Sequence, residues 1–338
     1  MRNWRFWLGA LISLAFIALA LSQIPDFQRF KHSLLSVRLA YIAPILIAYF
    51  LILIFRALRW QYLLHFTGHA RFSSSLSGII ICYFGNNILP LRAGDLLRAV
   101  VVGKRDEISI SAVLATVVVE RIFDSLVILM FLAAILINLE FPESYQNLEN
   151  ALHQGGIAAI VLAAGLVVFL YLLYLWTEPM MKLITFFLRY LPQRWSESLE
   201  GIIENFIQGL KILGSPLSLL IVFLLSLPVW LVNLGPVYFV GMSLGIQIPF
   251  TGCLLILLLG AFSSTIPAAP GYWGTFHLIT AAGVKFLGLL PDEDALTYAI
   301  VLHAIYFFPV VIIGILVAWQ EGYSLAQLQK EAKAETRG

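Results

Sequence analysis

The chain has 338 residues, of which 60% are hydrophobic and 12% charged, with a formal net charge of +2. That balance lies far outside the soluble globular range, leaves no stretch suited to a separate soluble core, and carries no basic cluster dense enough for nucleic acid. The two cysteines, Cys82 and Cys253, both sit in apolar runs; they are too few for a metal site and read as buried packing.

A helix needs about 20 apolar residues to cross ~30 Å of hydrocarbon. Runs of that kind occur near 4–22, 39–55, 110–137, 156–176, 216–245 and 295–319. The first follows Arg2 and Arg5 and contains an Ala18/Ala20 pair resembling a cleavage site; it is read as an uncleaved span. Three further apolar stretches, 72–90, 250–266 and 271–289, are short or broken. Pro90 ends the first, and Pro267, Pro270 and Gly271 separate the other two. A helix broken at membrane depth is tolerated only where its freed backbone groups meet protein or water. The fold class is therefore all-α: a polytopic membrane bundle of about 6–8 spans with broken or re-entrant helices. Residues 1–320 form one integral membrane domain, and 321–338 a short polar tail.

Positive charge orients such chains. Arg56, Arg59 and Arg71 precede 72–90, and Arg92, Arg98, Lys104 and Arg105 follow it. Both flanks are placed in the cytoplasm, so 72–90 is read as a re-entrant hairpin. The acidic loops 138–155 and 290–294 go outside. The amphipathic stretch 177–215, with Lys182, Arg189, Arg194 and Lys211, goes inside at the interface. Both termini are expected in the cytoplasm, in a cytoplasmic (inner) membrane. The Arg29/Lys31/Arg38 loop is the misfit. Pro90 to Gly94 and Pro267 to Gly271 both read P-x-x-x-G after an apolar stretch. Broken helices entering from opposite sides are what inverted-repeat transporters use, so an inverted repeat is a further expectation.

Charged residues inside apolar runs mark the candidate site. Each ionisable group near a bilayer centre costs roughly 2.5–3.5 kcal/mol on insertion scales. Glu120, Arg121 and Asp124 lie within the run from Ile108 to Asn138. Thr116, Glu120 and Asp124 share one helical face. Two readings stand: an internal ion-pair network that locks helices, or the lining of a polar cavity. Beside them lie Arg92, Gly94, Asp95 and Arg98. Asp95 can cap a helix restarted after Pro90, and Arg92 and Arg98 can hold a lipid phosphate or merely flank the headgroups. Asn86 and Asn87 can satisfy carbonyls freed at the break. In the second half, Ser263, Ser264 and Thr265 can re-bond broken backbone, while Gly271 and Gly274 allow close approach. His277 and His303 are read first as hydrogen-bonded bundle residues. Asn233 and Lys285 receive no role. No phosphate-binding Gly-rich loop, zinc motif or dinucleotide turn is present in the sequence, so no cofactor and no metal are expected.

Three segments together carry a resemblance. Asn86-Asn-Ile-Leu-Pro-Leu-Arg-Ala-Gly-Asp-Leu-Leu-Arg-Ala99, Val117-Val-Val-Glu-Arg-Ile-Phe-Asp124 and Ile266-Pro-Ala-Ala-Pro-Gly-Tyr-Trp-Gly-Thr-Phe276 resemble, in order, signatures of the flippase-like transmembrane domain of lysylphosphatidylglycerol synthases. The same domain occurs in an archaeal dolichol-linked glycosyltransferase and in stand-alone proteins. The resemblance covers nearly the whole chain. It implies re-entrant segments and the handling of lipids, by moving a phospholipid or lipid-linked headgroup across the bilayer. The soluble lysine-transfer domain is not found here, so synthase activity is not expected and the chain reads as a stand-alone member. Tyr272 and His277 stand where the family commonly has Gly and an acidic residue; His277 argues against a cationic, aminoacylated headgroup.

The expected function is a lipid translocase or scramblase, with membrane lipids bearing an anionic or lipid-linked phosphate headgroup as partners. Its site residues are Asn86, Asn87, Pro90, Arg92, Gly94, Asp95, Arg98, Glu120, Arg121, Asp124, Pro267, Pro270, Gly271, Gly274 and His277. The alternatives are an intramembrane transferase with Glu120 or Asp124 as general base, or a membrane partner of a separate lipid-modifying enzyme.

Overall fold

A computed structural model describes residues 27–89, 93–139, 146–188, 190, 193–264, 266 and 270–322. The expected first span, 4–22, and the polar tail lie outside these residues, as do Pro90, Arg92 and Pro267. Among the described residues all regular structure is helical. The helices are α1 (Phe27–Leu35), α2 (Ile42–Leu64), α3 (Phe72–Ile88), α4 (Gly94–Arg105), α5 (Ile110–Asn138), α6 (Gln146–Leu175), α7 (Thr177–Leu188), α8 (Gln193–Gly209), α9 (Pro216–Val232), α10 (Leu234–Ser243), α11 (Phe250–Ser263), α12 (Thr275–Phe286) and α13 (Asp292–Gln320). Only helices satisfy every backbone group within one segment, which is why lipid-facing runs of Leu, Ile, Val and Phe fold this way.

Among the described residues, three helical stretches are long and apolar enough to cross a membrane: Leu39–Leu64, Pro216–Ser243 and Asp294–Gln320. The first corrects the expected 39–55 span. Its helix runs nine residues further, so Arg56 and Arg59 sit inside the bundle, 7% and 0% exposed, and are not flanking charges. The second bends at Asn233, between α9 and α10. Pro236 has no N–H for the Val232 carbonyl; one turn earlier, Asn233 Nδ2 donates to the Val229 carbonyl at 3.0 Å.

The stretch 72–90, expected to be a re-entrant hairpin by itself, has one helix, α3, as its described part, and the hairpin is α3 paired with α4. Helices α3 and α4 pack along each other. Their outer ends are tied together: Arg71 pairs with Asp106 at 3.2 Å, and Ser74 donates to the same carboxylate at 2.9 Å. At the inner end, a Cβ on Gly94 would stand 1.9 Å from the Cys82 carbonyl oxygen, so only glycine lets the two backbones meet there. The Gly94 N–H donates to Asn86 Oδ1 at 3.0 Å. Asn86 thus caps the restarted helix through a freed donor rather than the carbonyls foreseen for it. Asp95 makes no cap bond; its carboxylate is spent on arginines.

A second hairpin follows. Helices α11 and α12 flank a break at which Ser263 and Ser264 donate to the carbonyls of Gly260 and Ala261 at 2.6 and 2.7 Å, the re-bonding expected of hydroxyls there. The chain then turns through three left-handed residues, Gly271, Tyr272 and Gly274. Gly274 caps α12, its N–H donating to His277 Nδ1 at 3.2 Å.

The two hairpins belong to two units of the same plan: a long helix, a hairpin, a long helix. In the first, α2 precedes α3–α4 and α5 follows; in the second, α9–α10 precede α11–α12 and α13 follows. The units interlock reciprocally, since α5 packs on α11 and α13 on α3. Their senses are opposed. Along α2, Trp60 meets Thr116 while Arg56 meets Asp124, so α5 runs antiparallel to α2. Arg59 meets Ser226 and Ala48 faces Gly235, so α9–α10 also run antiparallel to α2. Tyr298 donates to Val237 and Tyr306 to Asn233, which sets α13 antiparallel to α10 and hence along α2. This is the inverted arrangement foreseen from the two P-x-x-x-G breaks. The amphipathic 177–215 stretch is α7, α8 and a short turn; α8 lies across the start of α5, burying Ile207 and Leu210.

Candidate functional site: a charged cavity between the two hairpins

The first unit builds a compact charge cluster. Arg59, fully buried on α2, bridges Asp124 at 2.7 Å and Glu120 at 3.0 Å. Arg98, fully buried on α4, bridges Glu120 at 2.9 Å and Asp95 at 2.8 Å. Arg121 reaches Asp95 at 2.8 Å and Asp124 at 3.2 Å. Asp124 Oδ1 also accepts from Trp230 Nε1 at 2.9 Å and so ties in α9. Trp60 covers the far side, with the Arg98 guanidinium 4.7 Å from its ring centre and its Nε1 donating to Thr116 at 3.1 Å. Three helices are thereby cross-linked by ions where hydrocarbon packing alone gives little orientation. Breaking one member would strand a buried charge, at a cost of roughly 3–5 kcal/mol.

Against one side of this cluster opens a cavity of about 380 Å³. Its charged lining is Arg56, Arg121 and Asp124; Tyr49, Tyr83, Asn87, Asn233, His303 and Tyr306 add polar groups, and α11 and α12 close it with Ile256, Gly260, Ala261 and Phe276. The cavity therefore lies between the ion cluster of one unit and the hairpin of the other.

The foreseen site residues divide accordingly. Asn87, Arg121 and Asp124 line the cavity. Glu120 and Arg98 do not; they are the buried core of the ion network, 1% and 0% exposed. Asp95 pairs with both Arg98 and Arg121 at the edge of that network. Asn86 and Gly94 hold the hairpin apex. In the second unit, Gly271 and Gly274 set the turn, and Tyr272 lines the cavity. His277 is spent on the α12 cap and stacks edge-on against His303, ring centres 4.6 Å apart. His303 Nε2 donates to the Gly271 carbonyl at 2.7 Å, since a carbonyl only accepts. Both histidines are hydrogen-bonded bundle residues, as first read. Pro90, Arg92 and Pro267 lie outside the described residues, and Pro270 begins the short helical turn Pro270–Tyr272.

Arg56 and Arg59 were missed as site residues, as were Trp230 and Asn233. The signal for the arginines was present: Ile52, Leu53, Arg56, Arg59, Trp60 and Leu63 continue one helical face beyond residue 55. Among the described residues no group of His, Cys, Asp or Glu is placed to hold a metal ion. Cys82 and Cys253 are both buried.

A multi-pass helical membrane protein with a charged internal cavity between opposed hairpins is the class that this fold and site define. The family follows from comparison: a model described as the lysylphosphatidylglycerol synthase TM region matches residues 6–314, and the chain belongs to that family. It is 27% identical to a UPF0104 membrane protein of Methanothermobacter thermautotrophicus, over 92% of this chain and 91% of that protein. It is 26% identical to the glycosyltransferase AglD of Haloferax volcanii, over 74% of this chain but only 44% of that enzyme. A phosphatidylglycerol lysyltransferase of Staphylococcus aureus matches 30% of this chain at 31% identity, a stretch that is 12% of the enzyme. No solved structure matches the chain.

Proposed function

We propose that the protein moves a phospholipid or lipid-linked headgroup across the cytoplasmic membrane, with its tails left in the bilayer and both termini in the cytoplasm. One observation carries this reading: a cavity of about 380 Å³, with Arg56, Arg121 and Asp124 in its lining, sits among membrane helices between two hairpins of opposite sense. Isolated charge inside a membrane bundle is costly, and the ion pairs around Arg121 and Asp124 supply each with a partner of opposite sign. Oppositely directed broken helices are the elements that let one central site open to either side in inverted-repeat transporters. The volume lies at the low end of small-ligand pockets, roughly 300–1,000 Å³, and suits one headgroup rather than a lipid with its tails.

The test is reconstitution. Purified protein in vesicles, with a panel of lipids labelled in one leaflet, is followed for loss of asymmetry. Faster exchange than in protein-free vesicles supports the reading, and equal rates for every lipid class, with folded protein verified, reject it. The enzymatic alternative finds less support. Glu120 and Asp124 are both committed to arginines and are poor candidates for a general base. A role as membrane partner of a lipid-modifying enzyme is supported by relatives in which the matched region is only part of a longer enzyme; co-purification of such an enzyme from the native membrane tests it.

A further inference from the structure

The ion cluster does not balance. Among the described residues it holds four arginines, Arg56, Arg59, Arg98 and Arg121, against three carboxylates, Asp95, Glu120 and Asp124. Four minus three leaves one positive charge, and geometry assigns it to Arg56. Both Asp124 oxygens are already occupied: Oδ1 by Arg59 and Trp230, Oδ2 by Arg121 at 3.2 Å. Arg56 reaches Oδ2 only at 3.8 Å, outside hydrogen-bond range. Its Nε is buried with no acceptor among the described residues, a feature shared with Arg59, Arg98 and Arg121, so the 3.8 Å gap to Asp124 is what sets it apart. Its guanidinium is held between two rings, 5.4 Å from the centre of Tyr83 and 5.6 Å from that of Trp230. Arg56 is 7% exposed, and it lines the cavity.

A buried cation without a matching anion is costly unless something pairs it. Face-on aromatic contacts offset part of that cost. They also fix the guanidinium plane, leaving its donors for a ligand in the cavity. A guanidinium fork matches two oxygens of one phosphate.

We propose that Arg56 is the seat of a phosphodiester headgroup, and that the cavity takes lipids whose headgroup carries a single net negative charge. One monoanion neutralises the surplus. A cationic headgroup would add a second unpaired charge, and an uncharged one would leave the first. Tyr83 and Asn87 stand beside the seat, where the hydroxyls of a polyol attached to the phosphate would find partners. The proposal rests on reading the cavity as a lipid-headgroup site, and binding separates it from transport.

The experiment measures binding to protein purified in non-ionic detergent, by thermal shift and by native mass spectrometry. The probes are phosphatidylglycerol, lysyl-phosphatidylglycerol, diacylglycerol and water-soluble glycerol phosphate. Phosphatidylglycerol is expected to raise the melting temperature of the wild-type protein and to bind at least tenfold more tightly than the cationic lipid or diacylglycerol. Arg56→Gln should lose that preference at least tenfold, and Arg56→Lys, which keeps the charge without the fork, should fall between. Equal wild-type affinity for phosphatidylglycerol and diacylglycerol would overturn the proposal even if Arg56→Gln failed to fold. So would a folded Arg56→Gln protein with wild-type preference. Arg56-dependent binding in a protein that moves no lipid would leave the seat standing and remove the translocation reading. Arg56-dependent binding of glycerol phosphate alone would overturn the lipid assignment.

Discussion

Arg59 and Asp124 meet at 2.7 Å although 65 positions separate them in the chain. The contact fastens α2 to α5, and Trp230 on the same carboxylate oxygen brings in α9. The long helices that open the two inverted units are thus joined through one carboxylate beside the cavity.

Removing the cation of that pair has a large expected cost. Arg59→Met strands Asp124 and Glu120 as partly uncompensated buried carboxylates and should destabilise the protein by roughly 3–5 kcal/mol. Thermal unfolding in detergent, measured against wild type, checks this; a melting temperature within 1–2 °C of wild type, a shift of well under about 1 kcal/mol, would contradict it.

The first hairpin depends on one glycine. Gly94→Ala places a methyl group 1.9 Å from the Cys82 carbonyl oxygen, so the α3–α4 crossing must open. Overpacking of this kind costs about 1–3 kcal/mol or more. Gly165→Ala is the matched control, because nothing lies within 4 Å of its added carbon; replacing a mid-helix Gly there should be neutral or gain up to about 1 kcal/mol. Size-exclusion profiles and melting curves of the two variants are expected to diverge.

The inverted packing predicts a specific cross-link. Ala48 on α2 and Gly235 on α10 touch, a Cβ on the glycine standing 2.7 Å from that of the alanine. In a background with Cys82 and Cys253 replaced by Ser, the double variant Ala48→Cys, Gly235→Cys should form a disulfide readily after a small outward relaxation to disulfide spacing. Ala48→Cys combined with Ser243→Cys, at the other end of α10, should not. The reverse pattern would mean that the two units run in the same sense.

The hairpins differ in how they are held. Ion pairs bind α4 to α5 through Asp95, Arg98, Glu120 and Arg121, whereas α12 meets α13 through the aromatic and histidine contacts of Phe276, His277 and His303. Amide hydrogen exchange should therefore be faster across 250–286 than across 72–105, as expected of the less firmly held of two cooperative units. Equal protection would argue against this difference in how the two hairpins are held.

The site was half legible in the sequence. Glu120, Arg121 and Asp124 stand out because charge inside an apolar run has no inexpensive explanation, and the pairing of Asp124 and Arg121 with a cavity follows from that cost. The breaks at Gly94 and Gly271 were legible because Pro and Gly punctuate helices at the same spacing twice. Arg56 and Arg59 were hidden by position: they fall at the end of a run already long enough to span, where an arginine resembles an orienting flank charge. Whether Glu120 faced solvent or other ions could not be read from spacing, since the deciding partner, Arg59, lies about sixty positions away. The wall supplied by α9–α13 was invisible for a different reason. Apart from Ser264 and His303, its residues are apolar, aromatic or amide-bearing, and nothing in their composition separates a cavity lining from ordinary packing.

The proposed route takes the headgroup through the cavity between the hairpins. Ser125 lines that cavity, is itself exposed, and bonds only to the Arg121 carbonyl, outside the ion network. Ser125→Trp adds bulk to the route at a side chain that takes part in none of the cluster's ion pairs. The measurement is leaflet exchange of a labelled anionic phospholipid in vesicles containing wild-type or Ser125→Trp protein of matched melting temperature. Wild-type exchange is expected well above that of protein-free vesicles, and Ser125→Trp exchange at their level. Wild-type rates in a folded Ser125→Trp protein would place the route elsewhere.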